Sequence, residues 1–501
     1  MHSSTPQSQA SMLATITTDL DNIAPRFELQ PEQIRIIKTP TEFYETLKDK
    51  ISKAQTRVYL STLYIGRSEH ELITTIRSAL QRNPNLKVSF LTDSLRGTRE
   101  TPNPSCASLL APLISEFGNR VEVRMFHTPN LTGLRKKIVP KRINEGWGLQ
   151  HMKLYGVDDE VIMSGANLST DYFTNRQDRY HLFSSPELTS YFAKIHSGVC
   201  DLSFDIQPSE DPGGYTMKWP ASNPASSPLD SPKSFKAAAS KQLSHLLTPA
   251  NSPGSQSKTS SKSSTTTVYP VMSLVPLLDS STELPAITTI LQRLSQAPFH
   301  PATWTFTAGY FNMTPSFRRL LLSTRPASGT VLTAHPFANG FYGSKGVSGM
   351  LPDAYTHLAK MFLKRVRYES LDETIALKEW KRGKVGEKDG WTYHAKGLWV
   401  TFPSSPTPNS APTPPEKDED PSLTVVGSSN YTKRSYELDL EANVIIATSD
   451  PGLRKRLGEE VKWLGEYAKQ VDESEFEKPD RKVSVGVKLS MWLVRVLGGA
   501  L

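Results

Sequence analysis

Apolar positions in this chain alternate between helical and extended spacing. Thr39-Pro40-Thr41-Glu42 is a capping box with proline at the first helical position, and Phe43, Leu47 and Ile51 follow on one face. Residues 40–54 are therefore predicted to form an amphipathic helix. Strand 57–63, a helix near 69–81, strand 87–92, a helix near 107–116 and strand 121–126 come next. Two closely spaced strands, 151–157 and 160–165, complete the region. This alternation predicts an α/β sandwich with a largely parallel sheet. The pattern starts again near 270 and ends in a helix over 451–471, with Leu453, Leu457, Val461, Leu464 and Ala468 at helical spacing.

The second run repeats the first. His151-Met152-Lys153 follows Gly146-Trp147, and His394-Ala395-Lys396 follows Gly390-Trp391. Asn167 stands sixteen residues after His151 and Asp178 eleven after Asn167; Asn430 stands thirty-six after His394 and Glu441 again eleven further on. The excess of twenty equals the segment 403–422, which holds seven prolines and reads as an insertion between strands. Upstream, Arg57–Gly66 resembles Trp304–Phe311, and Lys87–Thr92 resembles Gly329–Thr333. A period of about 240 residues is too long for a solenoid and indicates a duplicated domain. The expected organisation is a disordered N-terminus over 1–30, a first half over 31–205 with its motif at 145–178, and a Ser/Pro-rich disordered linker over 206–268. A second half over 269–472 has its motif at 390–441, and a tail covers 473–501.

Composition changes this picture in a few respects. A chain of 501 residues supplies two full cores, and a net charge of +8 favours anionic partners. Cys106 and Cys200 form neither a disulfide framework nor a metal cluster. No apolar run reaches the ~18 residues of a spanning helix, and the first twenty-one residues make a poor secretory signal or presequence. The tail fits two descriptions: a docked terminal helix, or an interfacial one with Val487, Met491, Trp492 and Val494 towards lipid and Lys488 and Arg495 towards anionic headgroups.

Two His-x-Lys pairs suggest one site between the halves. Histidine serves as nucleophile or acid/base near neutral pH. A lysine two residues on along a strand shares its face and can neutralise phosphoryl oxygens. Asn167 and Asn430 can donate to those oxygens, while Asp178 and Glu441 can accept from the far imidazole nitrogens. Trp147 and Trp391 read as wall residues. The basic stretches Arg135-Lys136-Lys137, Lys141-Arg142 and Lys378, Lys381, Arg382, Lys384, Lys388 precede the two histidines and are candidates for anion steering.

These residues resemble the phospholipase D superfamily, whose motif is His-x-Lys-x4-Asp followed by Gly-Ser-x-Asn and an acidic residue. His151, Lys153 and Asp158 match in full; His394 and Lys396 match with Thr401 in the Asp place. Ser428 and Asn430 match the Gly-Ser-x-Asn element, whereas Ser164-Gly165-Ala166-Asn167 has its serine displaced. The resemblance implies a duplicated phospholipase D-like α/β/α sandwich with the active site at the interface of the halves. It implies His151, Lys153, Asp158, His394 and Lys396 as catalytic residues, with Asn167, Asp178, Ser428, Asn430 and Glu441 in support. Stretches such as SGANLSTDYFTNRQDRY, AGYFNMTP, YHAKGLW and GSSNYTKRS are similar to the eukaryotic phosphatidylglycerophosphate synthases. That similarity implies phosphatidyl transfer from CDP-diacylglycerol to sn-glycerol 3-phosphate, with release of CMP, in association with the mitochondrial inner membrane, at a surface bearing anionic lipid, and in the pathway to cardiolipin. No cofactor, metal or nucleic acid is expected. Other superfamily activities (phosphatidylserine synthase, phospholipase or nuclease types) and a non-catalytic lipid-binding role are the alternatives.

Overall fold

The computed structural model describes residues 8–140, 144–251, 264–403 and 419–496, with side chains as far as Met491. It contains two nine-stranded sheets and a two-stranded ribbon between them. Seven consecutive strands of the first sheet run in the order Val121–Phe126, Lys87–Asp93, Arg57–Ser61, Leu154–Val157, Glu160–Ser164, Tyr180–Ser184, Ile34–Ile37. The second sheet repeats them as Ile375–Trp380, Ser328–Ala334, Thr303–Ala308, Lys396–Thr401, Leu423–Gly427, Glu441–Thr448, Thr266–Ser273. The duplication read from the motifs is therefore a duplication of topology.

Each sheet is mixed, which corrects the expectation of a largely parallel one. Only the first three strands of each series run parallel to their neighbours. Helices such as His70–Arg82 and Cys106–Phe117 make those crossovers. The strand carrying the first lysine instead turns straight back through Asp158-Asp159, and such a short connection forces antiparallel pairing. The predicted helix over 451–471 stops at Leu464, capped at Gly465. Ala468–Val471 then adds an antiparallel edge strand beside Ile375–Trp380.

Two segments expected to be disordered are built into the fold. Helix Gln9–Leu20 buries Met12, Leu13, Ile16 and Leu20 in the core of the second half, and Asp19 binds Arg293 at 2.5 and 2.9 Å. Strand Phe27–Leu29 then pairs with Thr266–Ser273. The helical spacing of four apolar residues outweighs a Ser/Thr-rich composition. Within 206–268, strand Tyr215–Lys218 extends the first sheet, and helix Pro232–Leu243 buries Phe235, Ala239 and Leu243. A few well-placed apolar residues suffice to anchor a polar segment; residues 252–263 lie outside the described part. So do residues 404–418 of the proline-rich insertion, whose flanks pair as adjacent antiparallel strands.

The tail forms helix Val485–Val496, and Val487 and Met491 pack against Ala354 with Met350 and Leu358 beside them. Those two side chains thus face protein, not lipid, and the docked description holds for this face. The side chains of Trp492, Val494 and Arg495 lie outside the described residues.

The halves share a core in which Tyr59, Leu91, Leu154 and Met163 meet Met272, Val426, Ala442 and Val444. Across the same boundary, the buried Arg179 donates to Glu460 at 2.8 and 2.9 Å and to Val425 O at 2.6 Å, and stacks on Trp399 at 3.8 Å. His181 and Trp399 each reach Glu460 at 2.9 Å. Burial disfavours the charge on Glu460, yet Arg179 and His181 outweigh it and hold the carboxyl well below its ordinary range. A buried pair so fully bonded fixes orientation more than it adds stability. Arg179 directly follows Asp178, so the network also fixes that carboxylate.

Candidate active site

Each histidine is held by the opposite half. The His151 N–H donates to Leu440 O at 2.9 Å, and the His394 N–H donates to Gln177 O at 2.8 Å. The next residue in each case is the carboxylate that meets the ring. His151 Nδ1 lies 3.0 Å from both oxygens of Glu441, and His394 Nδ1 lies 2.6 Å from Asp178 Oδ2. The ribbon pairing Arg176–Gln177 with Thr392–Tyr393 carries one of these crossings. With Nδ1 donating to a carboxylate, each Nε2 presents a lone pair.

The lysines lie alongside. Lys153 Nζ donates to His151 O at 2.7 Å, and Lys396 Nζ donates to His394 O at 2.8 Å. Burial lowers both; Lys153 falls to about 7. Two buried ammonium groups without full compensation form a site prepared for an anion. Burial, with the adjacent lysine charge, takes His394 down to about 3 and His151 well below its ordinary value, so both rings are neutral imidazoles at neutral pH.

The supporting residues divide into two groups. Asn167 donates to the Tyr172 hydroxyl at 3.2 Å, and the amide oxygens of Asn167 and Asn430 are buried without a hydrogen-bond partner. The unpartnered end of each amide is thus its oxygen, an acceptor, whereas the expected role was donation through the amide nitrogen. Ser428 donates to Glu441, forming a second anchor on that carboxylate. Asp178 accepts from Lys396 at 3.4 Å as well as from His394. Burial opposes its charge, but Lys396 and His394 outweigh that and hold its carboxyl below the usual range. Glu441 has weaker compensation, and burial pushes it up to about 7 despite Lys153 and Ser428.

Asp158 does not belong to the site, which corrects its expected catalytic role. It sits in the hairpin turn at φ 49°, at the end of its strand away from Lys153. Its carboxylate accepts the N–H groups of Gln55 and Thr56 at 2.8 Å and of Arg57 at 3.1 Å. It ties the hairpin to the strand beside it. In the second half the proline-rich insertion replaces that turn, so Thr401 in the Asp place breaks nothing.

The displaced serine of the first motif also has a cause. A Cβ at Gly165 would stand 2.4 Å from Lys396 Nζ and 2.8 Å from both Asp178 oxygens. Lys396 occupies in the first motif the place that the Ser428 hydroxyl takes in the second.

The basic stretches differ in their surroundings. Arg135, Lys136 and Lys137 are exposed, and Lys141 and Arg142 lie outside the described residues. Lys381 and Lys384 sit over Phe337, and Arg382 over Trp391 at 4.1 Å, so part of this charge is spent on aromatic packing. Sequence reasoning passed over Tyr172, Arg176, Tyr310 and Arg434, which surround the histidines. Tyr172 and Tyr310 set their edges against His394 at 5.2 and 5.1 Å. The signal available was their position, within a few residues of Asn167, Asp178, Thr307 and Asn430.

Comparison with known proteins agrees with this arrangement. A family model described as a cardiolipin synthase, PLD-like domain matches residues 47–198. The structure of phosphatidylserine synthase from Haemophilus influenzae superposes with a TM-score of 0.68 over 97% of this chain and 98% of that one. At 19% identity the likeness concerns the fold. The CDP-diacylglycerol–glycerol-3-phosphate 3-phosphatidyltransferase of Saccharomyces cerevisiae is 45% identical, over 98% of this chain and 93% of that protein. The human protein of that name, designated mitochondrial, is 33% identical over 95% of this chain and 84% of its own length. Similarity of this extent, running through both halves, means that the chain belongs to the CDP-diacylglycerol–glycerol-3-phosphate 3-phosphatidyltransferase family, with a duplicated phospholipase D-like fold.

Proposed function

We propose that the protein transfers the phosphatidyl group of CDP-diacylglycerol to sn-glycerol 3-phosphate through a phosphatidyl-histidine intermediate, on the way to phosphatidylglycerol and cardiolipin. The observation that carries this reading is the crossed pair of neutral histidines, each with Nδ1 on a carboxylate and a lysine at its side. The names of relatives similar over nearly the whole chain supply the substrates.

His151 Nε2 attacks the phosphatidyl phosphorus and the bond to the CMP oxygen breaks. Lys153, Lys396 and the two asparagines stabilise the phosphoryl oxygens meanwhile. CMP leaves as a phosphate monoester with a second pKa of about 6, so it needs little help from an acid. His394 then takes the proton of the acceptor hydroxyl as that oxygen attacks phosphorus and the P–N bond breaks. The proton passes to water, and His151 is neutral again. The ionised Asp178 suits His394 to this role, because it stabilises the imidazolium that forms. Attack makes His151 an N-phosphoryl imidazolium, whose Nδ1–H Glu441 accepts until the P–N bond breaks.

The acyl chains of the donor stay in a bilayer. Among the described residues no helix is long and apolar enough to cross one. We place the reaction at a membrane surface bearing anionic lipid, where those acyl chains lie, and the vertebrate relatives' designation supports the mitochondrion as its place.

The test is to trap the intermediate. Protein mixed with phosphorus-labelled CDP-diacylglycerol and no acceptor is quenched in alkali, where phosphoramidates survive, and the label is mapped. His151→Ala and His394→Ala should each lower turnover by about 10⁴-fold or more. Label is expected to accumulate on His151 in His394→Ala and to be absent in His151→Ala. Label on His394 would reverse the roles, and turnover with serine or water in preference to glycerol 3-phosphate would change the acceptor.

A further inference from the structure

The two halves carry the same ion pair with its charges exchanged. Asp171 stands four residues after Asn167 and Arg434 four after Asn430; Arg176 stands two before Asp178 and Asp439 two before Glu441. Arg176 meets Asp171 at 3.2 Å and Arg434 meets Asp439 at 3.1 Å. The exchange makes the two flanks of the cleft electrostatically different. Beside His151 the pair is closed: Asp439 is 5% exposed, also accepts from Leu149 N–H at 2.9 Å, and offsets the Arg434 charge felt by the ring. Beside His394 the pair is open. The Arg176 side chain is 12% exposed and its charge reaches His394 and Lys396, whereas Asp171 is 63% exposed. Water screens Asp171 and leaves Arg176 as net positive charge on that flank.

Polar groups surround this guanidinium. It lies 4.6 Å over the Tyr172 ring, the ring that meets His394, and the Tyr310 hydroxyl borders the same space. Its Nε donates to Thr392 Oγ1 at 3.0 Å, which fixes the plane of the fork. Gly340 keeps the space clear, since a Cβ there would stand 3.1 Å from Arg176 Nη2 and 3.2 Å from the Tyr310 hydroxyl.

The stereochemistry of displacement gives this flank a purpose. Attack at phosphorus is in line, so the leaving oxygen departs opposite the nucleophile. In a double displacement the acceptor oxygen then enters along the path that the leaving oxygen took. With His151 as nucleophile, that path lies on the His394 side. CMP carries its phosphate directly on the departing oxygen, and glycerol 3-phosphate carries one three carbons from its attacking oxygen.

We infer that Arg176, with Tyr172 and the Tyr310 hydroxyl, forms a phosphate-monoester subsite that holds the phosphate of incoming glycerol 3-phosphate. This rests on the double displacement through His151 proposed above. The planar guanidinium, anchored at Nε and stacked on a ring, suits a phosphate better than an ammonium would.

The test compares an acceptor with and without phosphate. In Arg176→Gln, transfer to glycerol 3-phosphate relative to transfer to glycerol should fall at least about tenfold, through KM for glycerol 3-phosphate. Arg176→Lys should fall between, and Tyr310→Phe should move the same ratio about threefold, so the idea stands or falls even if the glutamine variant folds poorly by thermal melting. An unchanged ratio, or equal loss with both acceptors, would overturn the subsite. So would Arg434→Gln collapsing the ratio while Arg176→Gln leaves it intact. Failure of the unsubstituted protein to exchange labelled CMP into CDP-diacylglycerol would overturn the double displacement itself, and with it the entry path on which the subsite rests.

Discussion

The two poles of the cleft have one backbone and different electrostatics. At one pole His394 rests on Asp178, whose charge Lys396 secures. At the other His151 rests on Glu441, whose companion is the neutral Ser428 hydroxyl. Asp178 is held below the ordinary carboxyl range, and Glu441 is pushed up to about 7. A duplicated fold thus need not give two equivalent catalytic groups. One substitution in the motif, serine for glycine, decides whether an ammonium or a hydroxyl reaches the carboxylate.

The largest test of this contrast removes each charge. Asp178→Asn should cost about 10³–10⁴-fold in kcat, because it frees both His394 and Lys396, whereas Glu441→Gln should cost about 10–10²-fold. Equal losses in steady-state assays would erase the distinction. Next in size is Gly165→Ser, which imposes the second motif's residue on the first. Its Cβ would take the place of Lys396 Nζ, and kcat should fall about 10²-fold with little change in melting temperature.

A smaller effect comes from Ser428→Ala. The hydroxyl favours the charged form of Glu441, so its loss raises that carboxyl further above about 7. The rising, acid limb of the kcat profile should move to higher pH while the alkaline limb stays in place. The sign for stability follows from the same shift. A carboxyl raised in the folded state contributes most below its ordinary pKa near 4.5, and the contribution is lost as pH rises through about 7. Ser428→Ala should therefore melt lower at pH 8 than at pH 5, relative to the unsubstituted protein. The smallest effect on catalysis is expected from Asp158→Ala. It removes the acceptor of three backbone N–H groups and should cost about 1–2 kcal/mol of stability in denaturant titrations, with kcat within about twofold. A loss of kcat without loss of stability would return Asp158 to the site.

Sequence alone determined the duplication, both His-Lys pairs, the asparagines and carboxylates that accompany them, and the insertion that separates the second set. Local spacing suffices for these, because strands with period two and motifs within about 30 residues leave regular marks. Asp158 looked catalytic for the same reason: proximity in the motif does not reveal that a strand carries its two ends apart. The N-terminal helix and the segment 215–247 were hidden by composition, since their few apolar residues gain meaning only against a core supplied from elsewhere. The crossed partnership, His151 with Glu441 and His394 with Asp178, was decided by the packing of one half on the other. So were the place of Lys396 beside Gly165 and the closed and open states of two mirrored ion pairs. The crossed contacts join residues more than 200 positions apart, and no local pattern encodes which of two equivalent partners a side chain will meet.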